Sequence, residues 1–361
     1  MGRLPCLDGL RGLAILFVLL SHLSLYHTPA FPGLDFTGSG FYGVCLFFTL
    51  SAYLLTSLLL QNSREELYGS QVWKQYFQRR VLRIYPLYAL VLLANYFAAS
   101  CGARFAEPLS LERVWNHLLL RDGAGVFWTI PVECHFYLLL PLIVLAGTLV
   151  PRRPLALLAT ACAMLGAVAW ANATFPSDSR MALLRNVPAF LGGVYVAWAS
   201  DWIQASLAPP PNSRARMVVE GAGWLAIAAV LLHIPSVWSW ASGEIVAPDR
   251  FFNEPGLFGA LWAVFLIAAI HGRGALRRVL SQRPLCFLGR ISFSVYLLHL
   301  PLLKLIGGRL PHDPTLAAWG TIIAALGLAT VTYFAIEKPF VAMGRSPRRR
   351  ASGESTVPIA A

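Results

Sequence analysis

The sequence predicts an all-α polytopic membrane protein. Of its 361 residues, 57% are hydrophobic and 13% are charged, and the mean hydropathy is +0.60. Soluble domains carry about 25% charged residues, so this chain has more apolar surface than a single water-soluble core hides. Apolar runs of the length that crosses a bilayer, about 17–25 residues, recur along the chain. They predict a bundle of about ten transmembrane helices.

Each predicted span is an apolar run bounded by polar or basic residues. They cover residues Leu10–Tyr26, Tyr42–Leu60, Ile84–Ser100, Phe127–Val150, Leu155–Trp170, Leu183–Ser200, Val218–Ile234, Gly256–Ile270, Leu285–Ile306 and Leu316–Ile336. We therefore predict one membrane domain over residues 1–342. Residues 343–361 are polar and basic, and we expect them to be a disordered cytoplasmic tail.

The net charge of +12 comes from basic clusters between the apolar runs. Lys and Arg accumulate in cytoplasmic loops of membrane proteins, and most of the 29 basic residues lie at one end of the predicted bundle when the N-terminus is placed inside. This pattern predicts a multi-pass membrane protein with both termini in the cytoplasm. It disfavours nucleic-acid binding. The six cysteines are scattered without a CxxC pair, so neither a metal site nor a disulfide framework is predicted.

The first span, RGLAILFVLLSH, places Arg11 and His22 eleven residues apart. At about 100° per residue they share one helix face, and they lie about 16.5 Å apart along the axis. Ionisable groups inside a membrane are costly and mark functional sites. The alternative is that Arg11 reaches the lipid headgroups and His22 is structural; the shared face favours function.

A second basic group, QRRVLRIYP, opens the third span with Arg79, Arg80 and Arg83. Residues three and four apart share a helix face, and guanidinium groups bind phosphate through paired hydrogen bonds. These arginines fit a polyanion site as well as they fit a cytoplasmic membrane anchor.

Two further spans carry titratable residues. In FWTIPVECHFYLLLPL, Glu133 lies at a depth similar to that of His22 and is predicted to orient it as a general base, with Tyr137 on the same face. In GRISFSVYLLHLP, Tyr296 and His299 align and either pack or line a polar pocket. His135 points elsewhere, and we expect it to be structural.

His117 and Asp122 have the H-x4-D spacing of glycerolipid acyltransferases. They fall in a predicted outer loop, away from a cytoplasmic thioester donor. We interpret this spacing as coincidence.

The chain resembles the acyltransferase-3 family of bacterial membrane acyltransferases over almost its full length. The resemblance rests on six ordered blocks: LDGLRGLAILFVLLSH, YGVCLFFTLSAYLL, RRVLRIYPLY, FWTIPVECHFYLLLPL, GRISFSVYLLHLPLL and IEKPF. It implies that the Arg-x10-His pattern of Arg11 and His22 is essential and that Arg80 and Arg83 form the family's Arg-x-x-Arg pattern. This sequence has Cys45 where the family usually has an acidic residue, and Ser51-Ala52-Tyr53 where the family has Ser-Gly-Phe. We expect no fused SGNH hydrolase-like domain.

The residues and the resemblance together predict an O-acetyltransferase. Acyl-CoA, expected to be acetyl-CoA, binds from the cytoplasm with its phosphates on Arg11, Arg80 and Arg83, and its arm runs up the bundle to His22. His22 and Glu133 are the predicted catalytic residues; Arg79, Tyr137, Tyr296 and His299 are candidate pocket residues. The expected acceptor is a hydroxyl of an envelope glycan or lipid-linked sugar. The alternatives are acylation of a lipid or small hydrophobic molecule, a proton-coupled transporter, and a scaffold.

Overall fold

The computed structural model describes residues 4–151, 153–177, 179–207, 213–251 and 254–344, and these residues contain helices and no strand. The predicted all-α class is confirmed. The helices are α1 Pro5–Leu25, α2 Gly40–Leu59, α3 Arg64–Tyr68, α4 Ser70–Ser100, α5 Leu111–Leu118, α6 Thr129–Gly147, α7 Pro154–Thr174, α8 Leu183–Ser206, α9 Ser213–Leu232, α10 Pro235–Ser242, α11 Pro255–His271, α12 Ala275–Leu280, α13 Arg283–Arg290, α14 Ser292–Gly307, α15 Pro314–Thr332 and α16 Lys338–Met343. A 3-10 turn, Gly125–Trp128, precedes α6, and a π-helical turn, Tyr333–Glu337, joins α15 to α16.

Each predicted span overlaps one of these long helices, except that Leu285–Ile306 covers both α13 and α14. Fewer of the helices qualify as crossings. Seven helical segments of the described chain are long and apolar enough to cross a membrane, and α13 with α14 makes an eighth if that pair, bent by 75°, counts as one span. Helix α11 has only 17 residues, or about 25 Å of helix. Helix α8 carries Arg185, Asn186 and Pro188 in its first turns, which lower its hydropathy. The predicted tail lies outside the described residues from 345 onward.

Helix α1 lies at the centre of the bundle, in contact with α2, α13 and α14, and α2 packs in turn on α8. Small residues allow these backbones to touch. A Cβ added to Gly289 of α13 would lie 1.7 Å from the carbonyl oxygen of Asp8, and one added to Gly193 of α8 would lie 1.9 Å from that of Thr49. Glycine therefore fixes how closely α13 approaches the helix that carries Arg11 and His22.

We expect Gly289→Ala to destabilise the protein by about 1–3 kcal/mol, the usual cost of an overpacked contact. The added methyl group meets backbone, which cannot move as a flexible side chain can. Gly327→Ala in α15 is the matched control, because no atom lies within 4 Å of its added Cβ. Thermal unfolding in detergent measures both: Gly289→Ala lowers Tm, whereas Gly327→Ala leaves it unchanged or raises it. Equal effects of the two changes would contradict the packing account.

Candidate active site

Five helices surround a cavity of about 80 Å³ that contains the predicted arginines. Arg11 comes from α1, and Arg80 and Arg83 come from successive turns of α4. Helices α2, α6 and α14 complete the walls. We call this the arginine cavity. The three guanidinium groups that the sequence singled out are therefore brought together, although two of them lie about seventy residues from the first.

Arg80 has an unused hydrogen-bond donor. Its Nε is buried and has no hydrogen-bond partner among the described residues. Arg11 lies 4.0 Å from the carboxylate of Asp8, one turn earlier in α1. Buried donors are normally satisfied, so the unpaired nitrogen on a residue that lines the cavity makes Arg80 a candidate for binding a ligand.

Arg79 does not belong to this cavity, so its placement as a pocket residue is wrong. Its Nε donates to the carbonyl oxygen of Gly344, 3.2 Å away, after helix α16. Adjacent residues on a helix point about 100° apart. Since Arg80 faces the cavity, Arg79 is turned toward the end of the described chain.

Glu133 lies in the arginine cavity and not beside His22. The hydroxyl of Ser51 donates to its Oε1 at 2.6 Å, and Tyr137 donates to the same oxygen. Ser51 and Tyr137 are themselves 2.9 Å apart. The prediction that Glu133 orients His22 is therefore wrong, because the carboxylate faces α2 and the arginines. Tyr137 lines the same cavity.

His22 lines a second cavity of about 400 Å³, toward the other end of α1. We call this the histidine cavity. Its walls include the aromatic side chains of Phe41 and Trp128, and its mouth includes exposed Arg180 and Asp249. The volume falls in the range of small-molecule sites, about 300–1,000 Å³.

The partner of His22 is His299 of α14, which is fully buried. His299 Nε2 lies 3.1 Å from His22 Nδ1. His22 Nδ1 also lies 2.9 Å from the carbonyl oxygen of Val18, and His299 Nδ1 lies 2.8 Å from that of Tyr296. A carbonyl only accepts, so Nδ1 carries the hydrogen in both rings. His299 Nε2 then accepts from His22, and His22 Nε2 keeps its lone pair for the cavity.

The two cavities adjoin. They share two wall residues, Val44 of α2 and Tyr296 of α14. The hydroxyl of Tyr296 donates to the carbonyl oxygen of Val126 at 2.6 Å and accepts from the Thr129 hydroxyl at 2.9 Å. These bonds fix the ring in the wall that the two cavities share.

Sequence reasoning missed three residues of this region. In the sequence, Ser51 is only part of an altered motif, and Val44 carries no chemical signal. Glu337 follows an apolar run, is 6% exposed and accepts from the Ser294 hydroxyl. It is close enough to Arg83 and Arg11 to interact electrostatically. A carboxylate at the end of an apolar span is a signal that the sequence contained.

His117 and Asp122 form a structural contact outside both cavities. His117 is buried, its Nδ1 lies 2.9 Å from the carbonyl oxygen of Arg113, and its Nε2 accepts from the Ala124 amide at 2.8 Å. Arg113 donates to both oxygens of Asp122, at 2.7 and 3.2 Å. These contacts stabilise the segment before α6, which gives His117 and Asp122 a structural role.

The Arg113–Asp122 pair gives a pH-dependent prediction. Hydrogen bonds from Arg113 hold the pKa of Asp122 below its usual value, so the pair stabilises the fold above the unfolded pKa of about 3.9. That stabilisation is lost as the pH falls through the folded pKa. Arg113 is 46% exposed, so solvent screening limits the effect to about 1 kcal/mol.

We therefore expect Asp122→Asn to lower Tm slightly at pH 7, and its difference from the parent protein to shrink as the pH is lowered from 7 toward 3, because the stabilisation by the ionised carboxylate decreases below the unfolded pKa. Thermal unfolding at both pH values measures the difference. An equal loss at both would mean that charge plays no part.

Comparison with known proteins assigns a family to this arrangement. Residues 4–336 match the acyltransferase domain of the acyltransferase-3 family. Peptidoglycan O-acetyltransferase OatA of Listeria monocytogenes is 26% identical over 327 residues, which cover 83% of this chain and 49% of the relative. O-acetyltransferase OatA of Staphylococcus aureus is 23% identical over 402 aligned residues, covering 98% of this chain and 60% of the relative.

The chain thus spans about half of the length of such relatives. No solved structure matches it. Since the family match includes the helices that carry Arg11, His22, Arg80 and Arg83, the chain belongs to the acyltransferase-3 family.

Proposed function

We propose that this protein is an O-acetyltransferase that moves an acetyl group from cytoplasmic acetyl-CoA to a hydroxyl of a cell-wall glycan on the other side of the membrane. The observation that carries the proposal is the pair of adjoining cavities, one with three arginines and the other with a histidine whose Nε2 is free to act as a base. The names of the relatives, which are O-acetyltransferases, support the reaction class.

The arginine cavity is suited to the donor. Coenzyme A carries phosphates, and Arg11, Arg80 and Arg83 present guanidinium groups that bind phosphate oxygens through charge-assisted hydrogen bonds. Glu133 offsets part of this charge, while Ser51 and Tyr137 fix the direction of its carboxylate. A negative donor is favoured because arginines outnumber carboxylates on the cavity wall.

His22 acts as the general base. Its Nε2 removes the proton from the acceptor hydroxyl as the oxygen attacks the thioester carbonyl carbon. An ester bond forms, the carbon–sulfur bond breaks, and the coenzyme A thiolate leaves and is protonated. His299 positions His22, because its Nε2 accepts from His22 Nδ1 and thereby keeps the other ring nitrogen unprotonated.

The histidine cavity is suited to the acceptor. It is larger than the arginine cavity and its lining combines aromatic and polar side chains, as sugar-sized sites require. Basic residues cluster at the opposite end of the bundle, which the positive-inside rule places in the cytoplasm. The proposed location is the bacterial cytoplasmic membrane, with both termini inside and the histidine cavity facing outward.

A reconstituted assay tests this function. The purified chain is placed in liposomes with radiolabelled acetyl-CoA on the arginine side and peptidoglycan fragments on the histidine side. We expect label in the fragments as an alkali-labile ester. Mass spectrometry of envelope glycans and lipids, from cells with and without the protein, is expected to show acetyl mass lost from a glycan.

Two other results would replace the proposal. Label recovered in lipid alone would assign a lipid acceptor. Solute flux without any need for coenzyme A would assign a transporter, the other class in which buried His, Glu and Arg occur.

A further inference from the structure

Tyr296 lies where the cavity proposed for the donor meets the cavity proposed for the acceptor. Its side chain and that of Val44 are shared by the two cavities. Both residues are buried, at 6% and 5% exposure. An acetyl group bound on the arginine side therefore meets the Tyr296 ring before it meets a hydroxyl beside His22.

Hydrogen bonds to one short segment hold the ring in place. Tyr296 donates to the Val126 carbonyl at 2.6 Å, within the 3-10 turn Gly125–Trp128, and accepts from Thr129, the first residue of α6. Only the hydroxyl makes these bonds. A rotation of the ring therefore requires that the hydroxyl leave Val126 and Thr129.

The same turn forms part of the histidine cavity. Gly125, Val126 and Trp128 line it together with His22. A molecule that fills this cavity contacts the turn that holds Tyr296. The tyrosine also links to the base, since its carbonyl oxygen accepts from His299 Nδ1 at 2.8 Å.

We propose that Tyr296 is a movable partition between the two cavities, closed while its hydroxyl is bonded to Val126 and Thr129 and opened when an acceptor in the histidine cavity displaces the Gly125–Trp128 turn. This proposal rests on the proposed acyl transfer. A closed partition keeps water in the histidine cavity away from the thioester. Without it, water attacks the carbonyl carbon, acetate forms, and coenzyme A leaves as the thiol.

Cysteine labelling tests the partition without any need for catalysis. Phe47 lines the arginine cavity alone, so Phe47→Cys reports access to it. A membrane-impermeant thiol reagent is added to right-side-out vesicles, and labelling at position 47 is read by peptide mass spectrometry. We expect protection with Tyr296 present and labelling in Tyr296→Ala. Reagent added to inverted vesicles is expected to label position 47 in both.

Protection in Tyr296→Ala, or labelling from outside with Tyr296 intact, would overturn the partition. Protein that keeps Phe47 gives the background from native cysteines such as Cys45. This measurement contains no acetyl-CoA, so its result does not depend on whether the proposed acetyl transfer is correct.

The rate of acetyl-CoA hydrolysis in the absence of an acceptor tests whether the partition keeps water away from the thioester. Removing one neutral hydrogen bond raises the open population by about two- to thirteenfold. We expect Thr129→Val, which loses one bond, to increase hydrolysis in that range, and Tyr296→Phe, which loses both, to increase it further while the transfer-to-hydrolysis ratio falls.

Tyr88→Phe is the matched control, since its hydroxyl donates to the His117 carbonyl at 2.9 Å and lines neither cavity. It is expected to leave the ratio unchanged. A parallel loss of transfer and hydrolysis in Tyr296→Phe would assign a purely structural role and refute the partition.

Discussion

Replacement of His22 by glutamine is expected to lower kcat for acetyl transfer by about a hundred- to ten-thousandfold, the range of a general base. Glutamine keeps a polar side chain of similar length but does not take up a proton at neutral pH. The KM for acetyl-CoA is expected to change little, because His22 lies in the histidine cavity and the arginines lie in the other. Initial-rate kinetics in proteoliposomes measure both constants.

His135→Gln is the matched control for this change. His135 follows Glu133 on α6 but is not among the residues that line either cavity. It is expected to keep the activity of the parent protein. Full activity of His22→Gln would exclude His22 as the base, whatever the behaviour of the rest of the site.

His299 is expected to show a different pattern, because it acts through His22. His299→Ala removes one of the two acceptors for His22 Nδ1 and leaves the Val18 carbonyl alone to orient the ring, so we expect kcat to fall. His299→Gln offers an amide oxygen in its place, and we expect it to restore part of the lost kcat. A structural role in packing predicts instead that the smaller alanine and the larger glutamine differ in Tm and not in kcat.

The features of this site that the sequence predicted are the relations between residues of a single helix. Helical periodicity relates Arg11 to His22, and the i, i+3 spacing relates Arg80 to Arg83; in the structure, each pair lies on a single helix. Such relations depend on backbone geometry alone. The apolar runs likewise located the helices, because hydrocarbon requires every backbone polar group to be satisfied within the segment.

The sequence prediction was wrong about which side chain of another helix lies next to His22. Depth in the membrane alone pairs Glu133 with His22, but depth leaves the rotation of each helix about its axis undefined. Packing turns Glu133 toward Ser51 and brings His299, 277 residues away along the chain, to His22. The bend of 75° between α13 and α14 was also unforeseen. It occurs at Ile291, whose backbone is not helical, inside a run that reads as one apolar span.

The second large effect concerns donor binding. Arg80→Ala is expected to raise the KM for acetyl-CoA by about ten- to 160-fold, since hydrogen bonds to charged groups contribute about 1.5–3 kcal/mol each. The Nε of Arg80 has no hydrogen-bond partner among the described residues, which leaves a donor of this guanidinium group unused. Its kcat is expected to fall much less, because phosphate contacts are made in the ground state and the transition state alike.

Arg79→Ala tests whether the rise in KM expected for Arg80→Ala comes only from the loss of one positive charge. The two residues are adjacent on α4 and lose the same charge, yet Arg79 donates to Gly344 and Arg80 lines the cavity. We expect Arg79→Ala to leave KM near that of the parent protein, and Arg80→Lys, which keeps the charge but not the paired donors, to lie between. Equal increases in KM for the two alanine variants would mean that donor binding responds to the basic surface as a whole. The arginine cavity would then not be where the donor phosphates bind.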